Sequence, residues 1–256
     1  MRYLIKFSYD GTNYAGFQKQ PNENTIEKCL ETAATKINNN QKTTITATGR
    51  TDKHVHAKCQ YAHLDITVNI TPPKLKRALN SNLPEDIYII EAHLVKEDFH
   101  ARYNVVEKTY KYYINLGEYN PLERNYVYQY NYKLNIEAMK EGIKYLIGTH
   151  DYRAFVTESK DIENCTRTII KATIEEDKQD KNKYIITFTG TGFMRYQVRN
   201  MVGLLIRIGE NKKQPIEVKK ILESKSRKKN GYTAKAEGLY LEDVKYKNLE
   251  KNIIKL

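Results

Sequence analysis

Short strand-like runs alternate with amphipathic helical stripes along the whole chain, and this alternation limits the fold more than any other feature. Tyr3 to Tyr9 alternates like a strand, and Asp10-Gly11-Thr12-Asn13 forms a turn. A loop follows, Tyr14 to Asn22. Ile26, Cys29, Leu30, Ala33, Ala34 and Ile37 share one helical stripe, with Asn24 as N-cap and Glu27 completing a capping-box-like start. Thr43 to Ala47 and Gln60 to Thr67 read as strands. Pro72-Pro73 opens a short helix, Lys74 to Asn80, and Ile87 to Leu94 is another strand. The second half repeats the style. Lys108 to Leu116, Tyr126 to Tyr132, Arg167 to Ile174, Tyr184 to Thr189 and Leu239 to Tyr246 are strand-like. Ile136 to Ile147 reads as a helix stopped by Gly148, Val198 to Ile208 as one stopped by Gly209, and Pro215 to Leu222 as a short helix. Ser224 to Asn230 reads as a basic loop. Hairpin-like neighbours among mixed elements predict an α+β fold with a largely antiparallel sheet. No sequence repeat relates the halves, although the order of elements is loosely duplicated.

A chain of 256 residues can build one large α/β domain or two fused halves. Its formal charge of +12 is spread over the length, at Lys74 to Arg77, Lys108 to Lys111, Arg195 with Arg199, and Lys225 to Lys229 among others. Such a field attracts nucleic acid. The chain is also rich in Lys, Asn, Ile and Tyr and has no Trp. AT-rich coding produces that composition, so charge alone decides little. Cys29, Cys59 and Cys165 lie far apart, without metal or redox spacing, as expected of free thiols in a reducing cytoplasm. The N-terminus reads as a strand and not a signal peptide, and no apolar run approaches the roughly 20 residues of a membrane span.

The stretch Gly49-Arg50-Thr51-Asp52-Lys53-His54-Val55-His56-Ala57 lies between two of these strands. It puts one carboxylate on a tight loop, with Arg50 before it and a His-x-His after it. A lone acid at a strand end, in a basic protein, suggests a nucleophile or base aimed at an anionic polymer; the plainer reading is a surface Asp paired with Arg50. Arg199 lies four residues after Arg195 on the long helix, so both are expected to project from one face, distinct from the apolar stripe. Either one Arg turns inward and pairs with a buried carboxylate, lowering its pKa, or both are solvated. In Lys108-Thr109-Tyr110-Lys111-Tyr112-Tyr113 the strand period puts Tyr110 and Tyr112 on one face and Lys111 on the other. Such a Tyr stacks on a base while Lys holds phosphate, or it belongs to a core aromatic ladder. His54 and His56, with His63 or His100, lack the spacing and cysteine partners of a good zinc site, so no metal is expected. His100, in Asp98-Phe99-His100-Ala101-Arg102, reads as an RNA contact or a structural residue. No phosphate-cradling Gly-rich loop, dinucleotide fingerprint or serine elbow occurs, which removes support for ATP, NAD and acyl-enzyme chemistry.

Taken together, six motifs in order resemble the TruA family of pseudouridine synthases over nearly the whole chain. They are Tyr9 to Gln20, with Phe17 where Trp is common; Gly49-Arg50-Thr51-Asp52; Asp98 to Arg102; Lys108 to Tyr112; Gly192 to Gly203; and Thr233 to Leu241. The resemblance implies the pseudouridine synthase fold: two related α+β halves with a central, largely antiparallel sheet and a cleft between them. The first half covers 1–105 with Asp52, the second 106–248 with Tyr110 and Arg199, and a basic tail 249–256 follows. It also implies that Asp52 is the nucleophile, that Arg50 helps open the RNA and fills the space of the extruded nucleotide, that Tyr110 packs on the target uracil, and that Arg199 pairs with Asp52. Gln18, His54, His56, His100, Arg102, Lys111 and Arg195 are then candidate RNA contacts. The isomerisation involves neither redox nor phosphate transfer, so no cofactor is expected. The implied partners are a tRNA substrate, at positions 38 to 40 of the anticodon arm, and a second copy of the chain.

One position departs from the family pattern. Many members carry Gly two residues after the catalytic Asp, where this chain has His54. Gly serves where φ is positive, and His tolerates that region better than most residues but at some cost. A diverged paralogue acting on ribosomal RNA, and a catalytically inactive RNA-binding protein, are the rival readings.

Overall fold

The computed structural model describes residues 1–157 and 164–254 and divides the chain into two units, Met1–Val106 with Leu241–Leu256, and Glu107–Tyr240. Unit 1 contains β1 (Arg2–Tyr9), α1 (Ile26–Ile37), β2 (Thr46–Ala47), β3 (His56–Asp65), α2 (Pro72–Asn80) and β4 (Ile87–Val95). Unit 2 contains β5 (Val105–Asn115), which starts at the boundary, β6 (Tyr128–Gln129), α3 (Ile136–Lys144), β7 (Gly148–Asp151), β8 (Thr166–Glu176), β9 (Lys183–Gly190), α4 (Gln197–Gly209), α5 (Glu217–Ser224) and α6 (Arg227–Asn230). The last strand, β10 (Leu239–Tyr246), falls almost wholly in unit 1.

In unit 1 the strand order is β4-β1-β3-β10, with β2 against β3. Strand β1 pairs antiparallel with both β3 and β4, placing Leu4 opposite His63 on one side and His93 on the other. Tyr3, Leu4, Ile5, Phe7 and Tyr9 are buried, as are Ile26, Leu30, Ala33 and Ala34 of α1. Unit 2 has the order β5-β9-β8-β7, antiparallel where its pairs are described, while β6 joins β5 in parallel. Helix α4 is apolar nearly all round, as a helix enclosed by other elements must be, and buries Val198, Met201, Val202, Leu204, Leu205, Ile206 and Ile208.

The α+β architecture and the mostly antiparallel sheet agree with the sequence pattern. Several local expectations need correction. Helix α1 is capped at Thr25, not Asn24, and Glu27 turns outward to accept the Lys19 backbone N–H at 2.6 Å. Tyr126 to Tyr132 yields only a two-residue strand, because Tyr126 and Val127 N–H groups bond back to Glu123. The basic segment after Ser224 contains the short helix α6, whose Asn230 is buried. Strand β10 and the residues after it cluster with unit 1. Lys58 pairs with Glu242 at 3.1 Å, the Tyr246 hydroxyl donates to the Ala101 carbonyl at 2.8 Å, and Ile254 N–H bonds Leu94 O at 2.8 Å. The last two residues of the tail lie outside the described residues.

Candidate active site

Asp52 is half-buried on the connection between β2 and β3, and the backbone around it is fixed from several directions. Gln60, fully buried on β3, donates from Nε2 to the Gly49 carbonyl at 3.1 Å and accepts the Thr48 hydroxyl and the Tyr61 N–H on Oε1. The segment after β1 supplies most of the remaining contacts. Phe17 N–H donates to Thr51 O at 3.1 Å, and His54 N–H donates to Tyr14 O at 3.4 Å. The Thr51 and Tyr9 hydroxyls share a buried hydrogen bond of 2.8 Å. Val55 N–H closes a turn onto Asp52 O at 3.1 Å. Gly11 packs so closely that a Cβ there would lie 2.1 Å from the Val55 carbonyl oxygen. The motif Tyr9 to Gln20 is thus largely a cradle for the Asp52 loop.

The two histidines of that loop diverge. His54 has φ +64°, the left-handed region that glycine adopts most readily and that His tolerates at some cost. Its Nδ1–H donates to the Thr12 carbonyl at 2.7 Å, and its ring is exposed. His56 is 2 % exposed, with Nδ1 3.0 Å from the Gly11 N–H and 3.1 Å from Asp10 Oδ1. Burial makes it a loop anchor and removes it from the residues able to face RNA. Arg50, Lys53 and Gln18 are exposed.

His100 is structural in its local contacts. Its Nδ1 accepts the N–H groups of Arg102 at 3.1 Å and Tyr103 at 3.4 Å, while its ring stacks on Tyr103 and meets His63 edge-on. Arg102 is exposed beside it. Among the described residues no three His, Cys, Asp or Glu side chains gather as a metal-ligand set.

In unit 2, Tyr110 lies on β5 opposite Phe188 of β9, 8 % exposed, with the Phe193 ring meeting it edge-on at 5.2 Å. Tyr112 shares its face and is fully buried, its hydroxyl donating to Lys235 O at 2.8 Å, and burial pushes that phenol's pKa up. Lys111 is half-buried on the opposite face. Arg195 and Arg199 do not share a helix face. Tyr196 adopts φ +61°, so α4 starts at Gln197, after Arg195. Both guanidinium groups instead approach the Tyr196 ring, each with its carbon 5.2 Å from the centroid. Arg195 is exposed. Arg199 is half-buried, and its Nε donates to the Ala234 carbonyl at 2.8 Å.

Sequence reasoning missed Gln60 and Asn200, both fully buried amides that hold these segments. Each falls at a core-facing position of its element, Gln60 on β3 and Asn200 beside Met201 on the stripe of α4, and that position was the available signal.

The Asp52 loop in unit 1 and the Arg199 end of α4 in unit 2 are thus each held by hydrogen bonds within their own unit. The family model described as tRNA pseudouridine synthase matches residues 5–104 and 143–247. The chain is 44 % identical over 248 residues to the tRNA pseudouridine synthase A of Limosilactobacillus reuteri (strain DSM 20016), covering 96 % of each chain. It is 42 % identical to that of Streptococcus mutans serotype c, covering 96 % of this chain and 99 % of the other. The crystal structure of a Cbf5-Nop10-Gar1 complex covers 79 % of this chain and 54 % of its own, at 14 % identity and a TM-score of 0.32, too slight a likeness to bear on function. The chain belongs to the tRNA pseudouridine synthase family.

Proposed function

We propose that this protein converts uridine to pseudouridine in tRNA, at positions 38 to 40 of the anticodon arm, with Asp52 as the nucleophile. One observation carries the reading: a half-buried carboxylate sits on a loop whose backbone is fixed at Gly49, Thr51, His54 and Val55. In the reaction the N1–C1′ bond breaks, the base turns, and C5 joins C1′. The proton leaves C5 and N1 gains one, so nothing is oxidised or consumed. The target base starts inside stacked RNA and must be flipped, at about a few kcal/mol. Arg50, exposed beside the acid, fills the gap, and Tyr110 replaces lost stacking, worth roughly 1–3 kcal/mol per base. Arg199 has the supporting role that the family resemblance implies, its positive charge favouring the ionised form of the catalytic carboxylate. Exposed Gln18, His54, Arg102 and Arg195, with Lys111, contribute to RNA binding. The protein works in the cytoplasm as a homodimer whose two copies hold one RNA.

Replacing Asp52 with Ala tests the assignment. Pseudouridine formation is expected to vanish while tRNA affinity stays within about tenfold, or 1.4 kcal/mol. Equal product from both proteins would refute the nucleophile. Deleting the gene and mapping pseudouridine across all tRNA and rRNA identifies the substrate. Sites lost only from rRNA would transfer the reading to that RNA, and no lost site would leave an RNA-binding protein without turnover.

A further inference from the structure

Asn200 follows Arg199 on α4 and is fully buried, although it is polar. Its Nδ2 donates to Phe155 O at 2.7 Å, and its carbonyl accepts Asn230 Nδ2 at 3.1 Å. Its Oδ1 accepts both Arg227 Nη2 at 3.0 Å and the Thr233 hydroxyl at 2.6 Å. Arg227 Nη2 also donates to Thr233 Oγ1 at 2.8 Å, closing a three-residue knot. The next residue, Ala234, exchanges two hydrogen bonds with Arg199: its N–H donates to the Arg199 carbonyl at 3.0 Å, and its carbonyl accepts Arg199 Nε at 2.8 Å. One helical turn on, a Cβ at Gly203 would lie 2.4 Å from Tyr232 O, so only glycine lets this segment lie so close to α4.

We infer that Arg227 and Thr233 are positioning residues for the reaction: through Asn200 they clamp residues 232–234 onto α4, so that the Ala234 carbonyl aims the Arg199 guanidinium. This inference rests on Arg199 acting on the nucleophile. The physical argument is that a guanidinium is a rigid planar fork. Once Nε is committed to a fixed carbonyl, the two Nη groups can point only one way. The carbonyl is fixed because its neighbour Thr233 is tied to Asn200, a buried amide whose nitrogen and oxygen both have partners, and hydrogen bonds made inside a protein hold their surroundings firmly. The cost is visible at Arg227, whose pKa burial pulls down because its charge is placed against neutral acceptors. A merely solvated basic turn would not need that.

Single-turnover rates of the full-length protein at saturating tRNA provide the test. Thr233→Val keeps the shape and removes the hydroxyl. It is expected to lower the rate roughly tenfold, about 1.4 kcal/mol in barrier, with tRNA affinity within about twofold. Thr233→Ser, which restores the hydroxyl, is expected to restore the rate. In an Arg199→Ala background Thr233→Val is expected to cost nothing further, because nothing is left to aim. A folded Thr233→Val protein with the wild-type rate would overturn the inference, and so would an equal loss in both backgrounds. Should Thr233→Val not fold, Arg227→Met carries the same cycle with the same expected and overturning results. If Arg199→Ala alone retained full activity, the supporting role of Arg199 would fail instead, and the two failures are distinguishable.

Discussion

Around Asp52 the main chain does most of the holding: N–H groups of Phe17, His54 and Val55 reach carbonyls on or beside the loop, and Gly11 lets the neighbouring segment approach. Around Arg199 the side chains of Asn200, Arg227 and Thr233 hold the segment that braces it. The difference follows from what each must place. A short acidic side chain is positioned once its backbone is positioned. A long, flexible guanidinium needs its own end fixed, which takes a second acceptor and something to fix that acceptor. The Asp52 loop should therefore tolerate many side-chain changes but few backbone changes, and the Arg199 region the reverse.

The largest expected effect is on the backbone side. Gly11→Ala puts a methyl against the Val55 carbonyl oxygen, where neither backbone can yield cheaply. A loss of about 3 kcal/mol is expected, as for severe overpacking, read as a lower urea midpoint together with a fall in single-turnover rate. A stable, fully active Gly11→Ala protein would show that the loop is not held by this close approach.

Acid should also separate the regions. Burial, with the Arg2 charge and His100 nearby, lowers the His63 pKa from 6.5 to about 4, and its Nδ1 already accepts the Ala101 N–H at 3.1 Å. As pH falls below 6.5 the unfolded chain binds this proton first, so stability is lost between pH 6.5 and about 4. The expected loss between pH 7 and 5 is about 2 kcal/mol, and His63→Gln should flatten it. Glu210, after α4, behaves differently. Burial pushes its pKa up, but hydrogen bonds from Tyr130, Arg207 and Lys212 outweigh this and hold it at about 2. It stays ionised through the same window. Amide exchange at pH 5 should therefore loosen β3 before α4, and uniform loosening would contradict the difference.

Element types were legible where periodicity was strong: β1, α1, α4 and β10 lie where their patterns put them. The Gly-to-His departure marked His54 as a place where φ could be positive, and the structure puts it at +64°. What stayed hidden depended on distant partners. Nothing near Arg195 in sequence announces that Tyr196 turns left-handed and leaves Arg195 outside α4. A basic run cannot reveal that Arg227 turns inward, because its acceptors, Asn200 and Thr233, come from other segments. Asn24 looked like a cap because local rules favour Asn, yet the chain places Thr25 there.

His54 and Thr51 sharpen the contrast at smaller magnitudes. His54→Val puts a β-branched residue at φ +64° and should cost about 1–2 kcal/mol. His54→Asn, tolerant of that region, should cost less, and equal costs would mean that the Thr12 contact matters more than the backbone.

Thr51→Val makes the finest comparison, because it is the same chemical change as Thr233→Val in the other region. Thr51 loses its hydroxyl bond to Tyr9, which keeps Gln60 as a partner, so about 1 kcal/mol of stability is expected to go. The Thr51 carbonyl still receives the Phe17 N–H, so the loop keeps its course and the rate should stay within about twofold. The matched change at Thr233 is expected to cut the rate roughly tenfold, although it too removes hydroxyl hydrogen bonds beside a buried amide. If the two valine variants lost rate equally, the distinction between a site held by backbone and one held by side chains would disappear.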